Sequence, residues 1–400
     1  MKTETLTFPG ANGQTLSGRL EHPVGTPRAW AIFAHCFTCS KESAAAVRVS
    51  RALATHGFAV LRFDFAGIGS SSGAFEDTTF SSNVDDLVAA ADFVRSAYGR
   101  PALLIGHSLG GAAVLAAAGR IADAAAVVTI GAPADVAHVE QNFADAVEAI
   151  ETHGAADVKL GGRPFTIRRE LLDDIRSQPQ MQRIAGLRKA LLVMQAPGDT
   201  LVGIDNATTI FRAAKHPKSF VSLDDADHFL TKPADAAYAA EVIAAWASRY
   251  VPFTEPVAHP EGLVVAEETG AGGFGNLIHA GKHFLLADEP VDVGGKDTGP
   301  SPYDLLAASL AACKSMTLRM YANQKKWPVS RIAVSVKHDK IHAADCADCE
   351  TREGKIDQFT VSLTIEGDLD EAQRARLIEI SEKCPVHRTL TGEVQIRLVS

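Results

Sequence analysis

A serine stands between two glycines in the segment PALLIGHSLGGAAVLAAA, residues 101–118. The apolar run 102–105 before it predicts a buried strand, and residues 112–118 after it are good helix formers. On a sharp turn from strand to helix, glycines leave room for a tight backbone, which pushes the Ser108 hydroxyl out above the sheet edge. The helix would also direct its N-terminal N–H groups to the place where an oxyanion forms. The pattern therefore predicts that Ser108 is a nucleophile.

Two further polar residues follow later predicted strands. Asp199 comes after the apolar run 189–195, and His228 comes after the predicted strand 220–223. Because sites on parallel sheets lie beyond the carboxyl ends of the strands, we expect both side chains near Ser108. His228 would take the serine proton, and Asp199 would hold the imidazole tautomer and stabilise its cation. Rivals for the carboxylate role are Asp205, Asp224, Asp225 and Asp227.

An oxyanion hole needs two N–H donors. One is expected from Leu109, the residue after the nucleophile. The other is expected from the loop after the first buried strand, where His35-Cys36-Phe37 lies, and we assign it to the N–H of Phe37.

The elements that must position these groups alternate along residues 1–250. An N-terminal hairpin precedes the predicted strands Ala29–Ala34, Phe58–Phe63, 102–105, 124–130, 189–195 and 220–223, with helices predicted at 43–56, 83–98 and 234–250. This alternation predicts an α/β domain with a mostly parallel sheet. Residues 134–187 exceed what a crossover requires, and we interpret them as a small cap with an amphipathic helix at 136–152.

The segments HCF, DFAGIGSSSG, GHSLGG, PGDTLV and DADHF resemble the α/β-hydrolase fold, in particular its esterase branch, across residues 1–250. The resemblance implies a carboxylic ester hydrolase that acts through an acyl-enzyme on a small-molecule ester. Cys36 departs from the pattern, because relatives usually carry glycine there. The added side chain would narrow the acyl pocket.

Residues 251–262 are rich in proline and predict a semi-rigid linker. Beyond them the pattern changes to short strands around two long helices, which predicts an α+β domain over residues 263–400. Strands are expected at 263–267, Asn276–Ala280, His283–Ala287, 331–337, 359–365 and 393–399, and helices at 303–324 and 370–383. On the first helix, Leu306, Leu310, Cys313, Thr317 and Met320 share one apolar face, which predicts that Cys313 is buried.

The segments GPSPYDLLAASLAAC and EKCPVH resemble the OsmC family, which includes the organic hydroperoxide resistance proteins. The resemblance implies that Cys313 is a peroxidatic and Cys384 a resolving cysteine, with an organic hydroperoxide and a dithiol reductant as partners. It also implies a homodimer built through this domain. The alternative is that both cysteines are small buried hydrophobes and that only the hydrolase is catalytic, with the second domain serving dimerisation or ligand binding.

The second domain departs from that family in its charges. The family's peroxidatic thiol is served by an arginine from an N-terminal strand and a glutamate before the cysteine helix, but this sequence has no arginine between Arg249 and Arg319. The substitutes are Asp304 for the acid and Lys282, His283, Lys296 or Arg388 for the cation. Because lysine lacks the planar two-point contact of a guanidinium, we predict a weak or differently specialised peroxidase.

Two C-x-x-C pairs remain, Cys36 with Cys39 and Cys346 with Cys349. The second could bind zinc with His342 or His338, could be a thiol switch, or could have no special role. The spacing does not decide among these, so we predict neither a metal nor a cofactor.

Composition bounds the remaining classes. The chain has 400 residues, 46% hydrophobic and 22% charged, with a net charge of −9, which argues against nucleic-acid or anionic-membrane binding. No apolar run approaches the roughly 18 residues that span a bilayer, and MKTETLTFPGANGQ lacks a signal-peptide core. We therefore expect a cytoplasmic protein in which structural disulfides do not form.

Overall fold

The computed structural model describes residues 2–254, 260, 262–269, 273–343 and 353–399. The chain divides into two compact units, Met1–Glu261 with Thr269–Ala271 and Gly262–Glu268 with Gly272–Ser400. We call them the first and the second unit. Within the described residues, no helix is long and apolar enough to cross a membrane.

The first unit is built on one large sheet. Its strands, in hydrogen-bonded order, are β1 (Lys2–Pro9), β2 (Thr15–His22), β4 (Phe58–Phe63), β3 (Ala29–Ala34), β5 (Pro101–His107), β6 (Ala126–Ile130), β9 (Ala190–Gln195) and β10 (Lys218–Ser222). β2 pairs antiparallel with β1 and with β4, and the other neighbours pair in parallel. The prediction of a mostly parallel α/β sheet is confirmed.

Helices cover both faces of this sheet, which is why its central strands are apolar at consecutive positions. They are α1 (Ala44–Thr55), α2 (Phe80–Ala97), α3 (Leu109–Ala117), α7 (Ile204–Ala213) and α8 (Pro233–Ala247). On β5, Leu104 packs in the core that holds α2 and α3, whereas Leu103 and Ile105 pack in the core that holds α1 and α8. The strand that leads into the nucleophile turn is therefore packed on both faces, and α3 packs on one of them.

The cap contains more elements than the sequence analysis predicts. They are a 3₁₀ segment (Val136–Ala146), α4 (Val147–His153), β7 (Ala155–Leu160), β8 (Arg163–Arg168), α5 (Arg169–Ser177) and α6 (Gln180–Ala185). The prediction of one continuous helix over 136–152 is wrong, because Phe143 leaves helical geometry at φ −142° and ψ 32°. The break lets the Phe143 ring bury itself beside Phe37.

The second unit combines two small sheets with helices. β11 (Val264–Glu268), β12 (Asn276–Ala280) and β13 (His283–Ala287) form an antiparallel meander, and β14 (Val329–His342) pairs with β15 (Lys355–Gly367). The helices are α9 (Pro302–Lys325), α10 (Glu371–Ser381) and α11 (Pro385–Thr391). The predicted α+β arrangement is confirmed, but the predicted strand over 393–399 is wrong. That segment forms no regular structure, since no strand among the described residues pairs with it, and Leu398 is 99% exposed.

The buried face of α9 also differs from the prediction. The buried positions are Ala307, Leu310, Lys314, Leu318 and Ala322. Met320 is instead 73% exposed and Cys313 is half-buried. An alanine-rich helix offers two adjacent apolar stripes, and periodicity alone cannot choose between them. The buried stripe includes Lys314, whose Nζ donates to the Ser381 carbonyl at 2.9 Å and can therefore be buried.

Candidate active site

Ser108 occupies a strained turn between β5 and α3. Its backbone lies at φ 56° and ψ −126°, a conformation that costs a non-glycine residue energy and recurs at functional sites. Close packing enforces the turn: a Cβ on Gly106 would lie 2.2 Å from the Gly110 carbonyl oxygen, and one on Gly110 would lie 2.3 Å from the Ala34 carbonyl oxygen. Only glycine fits these two positions, which explains the pattern around the serine.

Asp199 and His228 lie together beyond the ends of β9 and β10. His228 Nδ1 is 2.7 Å from Asp199 Oδ2, and both side chains are almost fully buried. Since this bond engages Nδ1, the other ring nitrogen remains for the proton of Ser108. Ser108 and His228 line the same cleft.

Asp199 is held as a carboxylate. The N–H groups of Leu201 and Val202 each donate to its Oδ1 at 2.9 Å, and Gln195 Nε2 donates to its Oδ2 at 3.1 Å. Burial acts to raise the pKa of Asp199, but the hydrogen bond from His228 and those from the backbone outweigh it and hold the pKa below its ordinary value. The carboxylate is thus charged and fixed beside the imidazole.

The rival carboxylates lie elsewhere. Asp205 is exposed in the first turn of α7. Asp224 accepts a hydrogen bond from Ser222, and Asp227 accepts from Phe229 and Thr231. The recorded carboxylate contact of His228 is with Asp199.

The loop over residues 35–41, which we call the oxyanion loop, lies against the first turn of α3. The Ala34 and His35 carbonyls approach Gly110 closely. Phe37 and Leu109, the two expected N–H donors, line the cleft with Ser108. The structure therefore places both residues at the same cleft as Ser108.

Two histidines that the sequence analysis did not select support this geometry. His107 Nε2 donates to the His228 carbonyl at 2.6 Å, and His35 Nδ1 donates to the Cys36 carbonyl at 2.8 Å. Burial, followed by the neighbouring His228 ring, lowers the pKa of His107 to about 4, and burial also lowers that of His35. Both are neutral positioning residues. The signal available in the sequence was their place at the ends of β5 and β3.

Cys36 and Cys39 form a disulfide within the oxyanion loop, with their Cα atoms 5.2 Å apart. This separation is in the usual range for such bonds. The expectation that structural disulfides do not form is therefore wrong for this pair. That expectation rests only on the predicted cytoplasmic location, whereas the tight turn of the loop brings the two sulfur atoms within bonding distance.

The space around Ser108, which we call the Ser108 cleft, measures about 400 Å³. Its walls come from the oxyanion loop, the cap and the segments around Val202 and His228. The cap contributes the cations Lys159 and Arg163, and the described residues that line the cleft include no carboxylate. The cleft is thus of a size for a small ligand and is positively charged on the cap side.

In the second unit, Cys313 on α9 and Cys384 before α11 are free thiols joined by a hydrogen bond. Cys384 is fully buried, and its Sγ accepts from the His387 N–H at 3.3 Å. Burial raises the pKa of Cys384, and Cys313 acts in the same direction. The structure brings this predicted pair together and leaves Cys313 as the more accessible sulfur.

The charges around this pair differ from those expected. Asp304 is engaged as a helix cap, since its Oδ2 accepts from the Ser301 N–H at 3.0 Å. It lies nine residues before Cys313, or roughly 13 Å along the helix. The cation recorded beside the pair is Lys314, which acts to lower the pKa of Cys384. The sequence analysis did not select Lys314, because all the cations that it considered lie outside α9, the helix that carries Cys313.

The second C-x-x-C pair, Cys346 with Cys349, lies outside the described residues. Its candidate partner His338 bonds Asp357 at 2.8 Å. Among the described residues, no group of three or more histidine, cysteine or acidic side chains is arranged to hold a metal ion.

Comparisons with known proteins match two families along the chain. The model of the alpha/beta hydrolase family matches residues 31–293, and that of the OsmC-like proteins matches residues 295–399. The crystal structure of an esterase domain from a Rhodothermus marinus protein is 48% identical, covering 63% of this chain and 100% of its own, with a TM-score of 0.52. No curated protein matches the chain.

Two more distant solved structures share the fold. Est1E from Butyrivibrio proteoclasticus, with ferulic acid bound, is 19% identical, covering 62% of this chain and 99% of its own, with a TM-score of 0.53. The alpha/beta hydrolase GrgF from Penicillium sp. sh18 is 17% identical, covering 63% and 99%, with a TM-score of 0.54.

Proposed function

The chain belongs to the alpha/beta hydrolase family, and from this membership we propose that its first unit is a serine carboxylesterase. The observation that carries the proposal is the 2.7 Å contact between His228 and Asp199 in the cleft that Ser108 enters on a strained turn. The similarity to the esterase domain from a Rhodothermus marinus protein supports it.

In the proposed reaction, the Ser108 oxygen attacks the ester carbonyl while its proton moves to His228 Nε2. The N–H groups of Phe37 and Leu109 stabilise the oxyanion, and Asp199 stabilises the imidazolium. His228 then gives its proton to the leaving alcohol. Water, activated by the same histidine, releases the acid from the acyl-enzyme.

The positive cap side of the cleft predicts a preference for esters that carry a carboxylate. We expect Lys159→Gln to lower kcat/KM for a p-nitrophenyl ester with a terminal carboxylate by about 1.4-fold to fivefold, the range of an exposed ion pair. The neutral p-nitrophenyl acetate and butyrate should be unaffected. A panel of p-nitrophenyl esters differing in chain length and charge measures this.

The matched control is Lys215→Gln, which removes an exposed lysine that is absent from the lining of the cleft. Equal losses for charged and neutral esters would contradict the charge preference. Absence of hydrolysis across the whole panel would contradict the esterase proposal.

For the second unit we propose a thiol peroxidase activity. Cys313 would attack the terminal peroxide oxygen as a thiolate, releasing an alcohol and forming a sulfenic acid, which condenses with the Cys384 thiol to a disulfide and water. A dithiol would then reduce that disulfide. The hydrogen-bonded thiols and the greater accessibility of Cys313 support these roles.

We expect this peroxidase to be slow. The Lys314 ammonium donates a hydrogen bond to the Ser381 carbonyl. As a single point charge, it cannot make the two-point contact with a peroxide that a guanidinium makes. Stopped-flow reaction of reduced protein with cumene hydroperoxide should give a rate constant far below the diffusional range of about 10⁸ M⁻¹ s⁻¹. Because Lys314 acts to lower the pKa of Cys384, Lys314→Met should slow the following Cys313–Cys384 condensation about tenfold. Lys383→Met, which changes an exposed lysine beside Cys384, should not.

A rate near that range would contradict the expectation of a weak enzyme. Peroxide consumption that survives Cys313→Ser, or a Cys313–Cys384 disulfide that never forms, would instead favour the alternative. In that alternative only the esterase is catalytic, and the OsmC-like domain dimerises the protein or binds a ligand.

We also propose that the protein is a homodimer formed through residues 263–400. In the described part of the second unit, the contiguous cluster of buried apolar side chains has five members, Leu318, Ala322, Val329, Leu377 and Ile380, while Met316 and Met320 on α9 are 66% and 73% exposed. So small a core rarely stabilises a domain of this size. Sedimentation at micromolar concentration should show a dimer, and truncation after Tyr250 should leave a monomeric active esterase. A monomeric full-length protein would contradict this proposal.

A further inference from the structure

The Cys36–Cys39 disulfide lies in the loop that carries the expected oxyanion donor Phe37, and both cysteines line the Ser108 cleft. We propose that this pair is a redox-active site that exchanges with a dithiol, and that its oxidised form holds the oxyanion loop in the geometry for hydrolysis. The effect on activity rests on the proposed esterase function, whereas the effect on the loop does not.

The loop conformation depends on a small number of links. The Cys39 N–H donates to the Cys36 carbonyl at 3.1 Å, and the Arg163 guanidinium donates to the Thr38 carbonyl. Thr38 lies at φ 58°, a left-handed conformation that is unfavourable for a β-branched residue. The disulfide is the one covalent link across this turn. Its removal leaves these two hydrogen bonds, together with the packing of the Phe37 ring against Phe75 and Phe143, to hold Thr38 and the N–H of Phe37.

The base of the loop is fixed independently of the disulfide. His35 Nδ1 donates to the Cys36 carbonyl, and the backbone N–H of Lys41 donates to the buried carboxylate of Asp64 at 2.7 Å. Lys41 Nζ pairs with the same carboxylate. Reduction is therefore expected to loosen the turn over residues 36–39 without unfolding the loop. The change falls on Phe37, at the point where catalysis needs a fixed donor.

The two sulfur atoms differ in accessibility, which sets the direction of exchange. Cys36 is 4% exposed, whereas Cys39 is half-buried at the cleft wall. A thiolate of the dithiol attacks Cys39 Sγ, which breaks the disulfide and releases Cys36 as a thiolate that takes up a proton. The second thiol of the same dithiol molecule then attacks the reductant sulfur that is bonded to Cys39, and Cys39 leaves as a thiolate. The pair gains two electrons and two protons, and the dithiol becomes a cyclic disulfide.

The test uses full-length protein equilibrated with graded ratios of reduced to oxidised dithiothreitol. Differential alkylation with peptide mapping measures the redox state of each cysteine. Hydrolysis of p-nitrophenyl acetate measures kcat, and hydrogen–deuterium exchange measures the backbone protection of residues 35–41. Reduction of the pair should lower kcat by about tenfold or more, because a displaced oxyanion donor costs up to about 10²–10³. It should also raise the exchange of that peptide, and reoxidation should restore both.

Two variants assign the effect. Cys36→Ser/Cys39→Ser should have the low kcat and the fast exchange of the reduced protein in every buffer. Cys313→Ser/Cys384→Ser removes the other described pair and should respond to the buffer as the wild type does. If the double variant at 36 and 39 still responded, another pair would be responsible and the proposal would be wrong.

The remaining outcomes are also decisive. A pair that stays oxidised in excess dithiothreitol, or a mapped reduction that changes neither kcat nor exchange, would overturn the proposal. If no ester were hydrolysed in either redox state, the esterase proposal would fail. The exchange of residues 35–41 would then decide the proposed site: increased exchange on reduction would support it, and unchanged exchange would overturn it.

Discussion

Ser108→Ala should abolish ester hydrolysis, lowering kcat by about 10⁴-fold or more. The reason is that the substitution removes the only atom proposed to form the acyl-enzyme. The turn should keep its conformation in both the wild type and the alanine variant, because the backbone strain at φ 56° is set by the close packing around Gly106 and Gly110. Turnover of p-nitrophenyl acetate and covalent labelling by a fluorophosphonate should be lost together, with an unchanged melting temperature.

The control for this experiment is Ser96→Ala, which removes an exposed serine hydroxyl that bonds a carbonyl on its own helix. It should retain full activity. Substantial hydrolysis by the Ser108 variant would show that another group is the nucleophile. Peroxide consumption should be unaffected by Ser108→Ala if the two proposed activities are separate.

Asp199→Asn should be nearly as damaging, with an expected loss of about 10⁴-fold in kcat. An amide in this position can present its N–H₂ to His228 Nδ1, which favours the tautomer that carries its proton on Nε2 and cannot accept one from Ser108. Asp205→Asn, which changes an exposed carboxylate six residues away, should leave kcat within about twofold. The pair of variants measured on one ester separates the two assignments, and the reverse result would transfer the role to Asp205.

Asp199→Asn should also change how the free energy of unfolding depends on pH. The pKa of Asp199 is lower in the folded protein than its ordinary value of 3.8. Its contribution to the free energy of unfolding is therefore fully present above that value, and it is lost as the pH falls through the folded pKa. The asparagine variant should lack this contribution, so urea unfolding should depend less on pH below about 4 than in the wild type. An identical pH dependence would argue against a strongly bonded carboxylate at this position.

Much of the first unit followed from local sequence. Strands such as Ala29–Ala34 and Phe58–Phe63 could be predicted because a strand buried on both faces must be apolar throughout. The turn at Ser108 could be predicted because only glycine tolerates the close approaches at Gly106 and Gly110. Asp199 and His228 could be predicted as site residues because each follows the carboxyl end of a predicted strand. These features depend on backbone sterics and on hydrophobic periodicity, and both are determined by residues that are close together in the sequence.

Other features depended on contacts between distant residues. The sequence favoured Asp199, which follows a predicted strand, but it left Asp205 as a rival, and the 2.7 Å contact with His228 is a feature of the tertiary structure. The alternation over 393–399 resembles a strand, but a strand needs a partner, and none pairs with this segment in the part of the chain that the structure describes.

The second unit shows the same limit. Lys314 is polar by type and yet buried, because the carbonyl of Ser381, 67 residues away, receives its ammonium. The Cys36–Cys39 disulfide depends on a turn whose geometry no periodicity reveals. Local sequence thus determined which segments become strands, helices and tight turns, because those preferences act over a few residues. Tertiary structure decided which polar groups meet, because a buried charge or thiol is stable only where the fold supplies its partner.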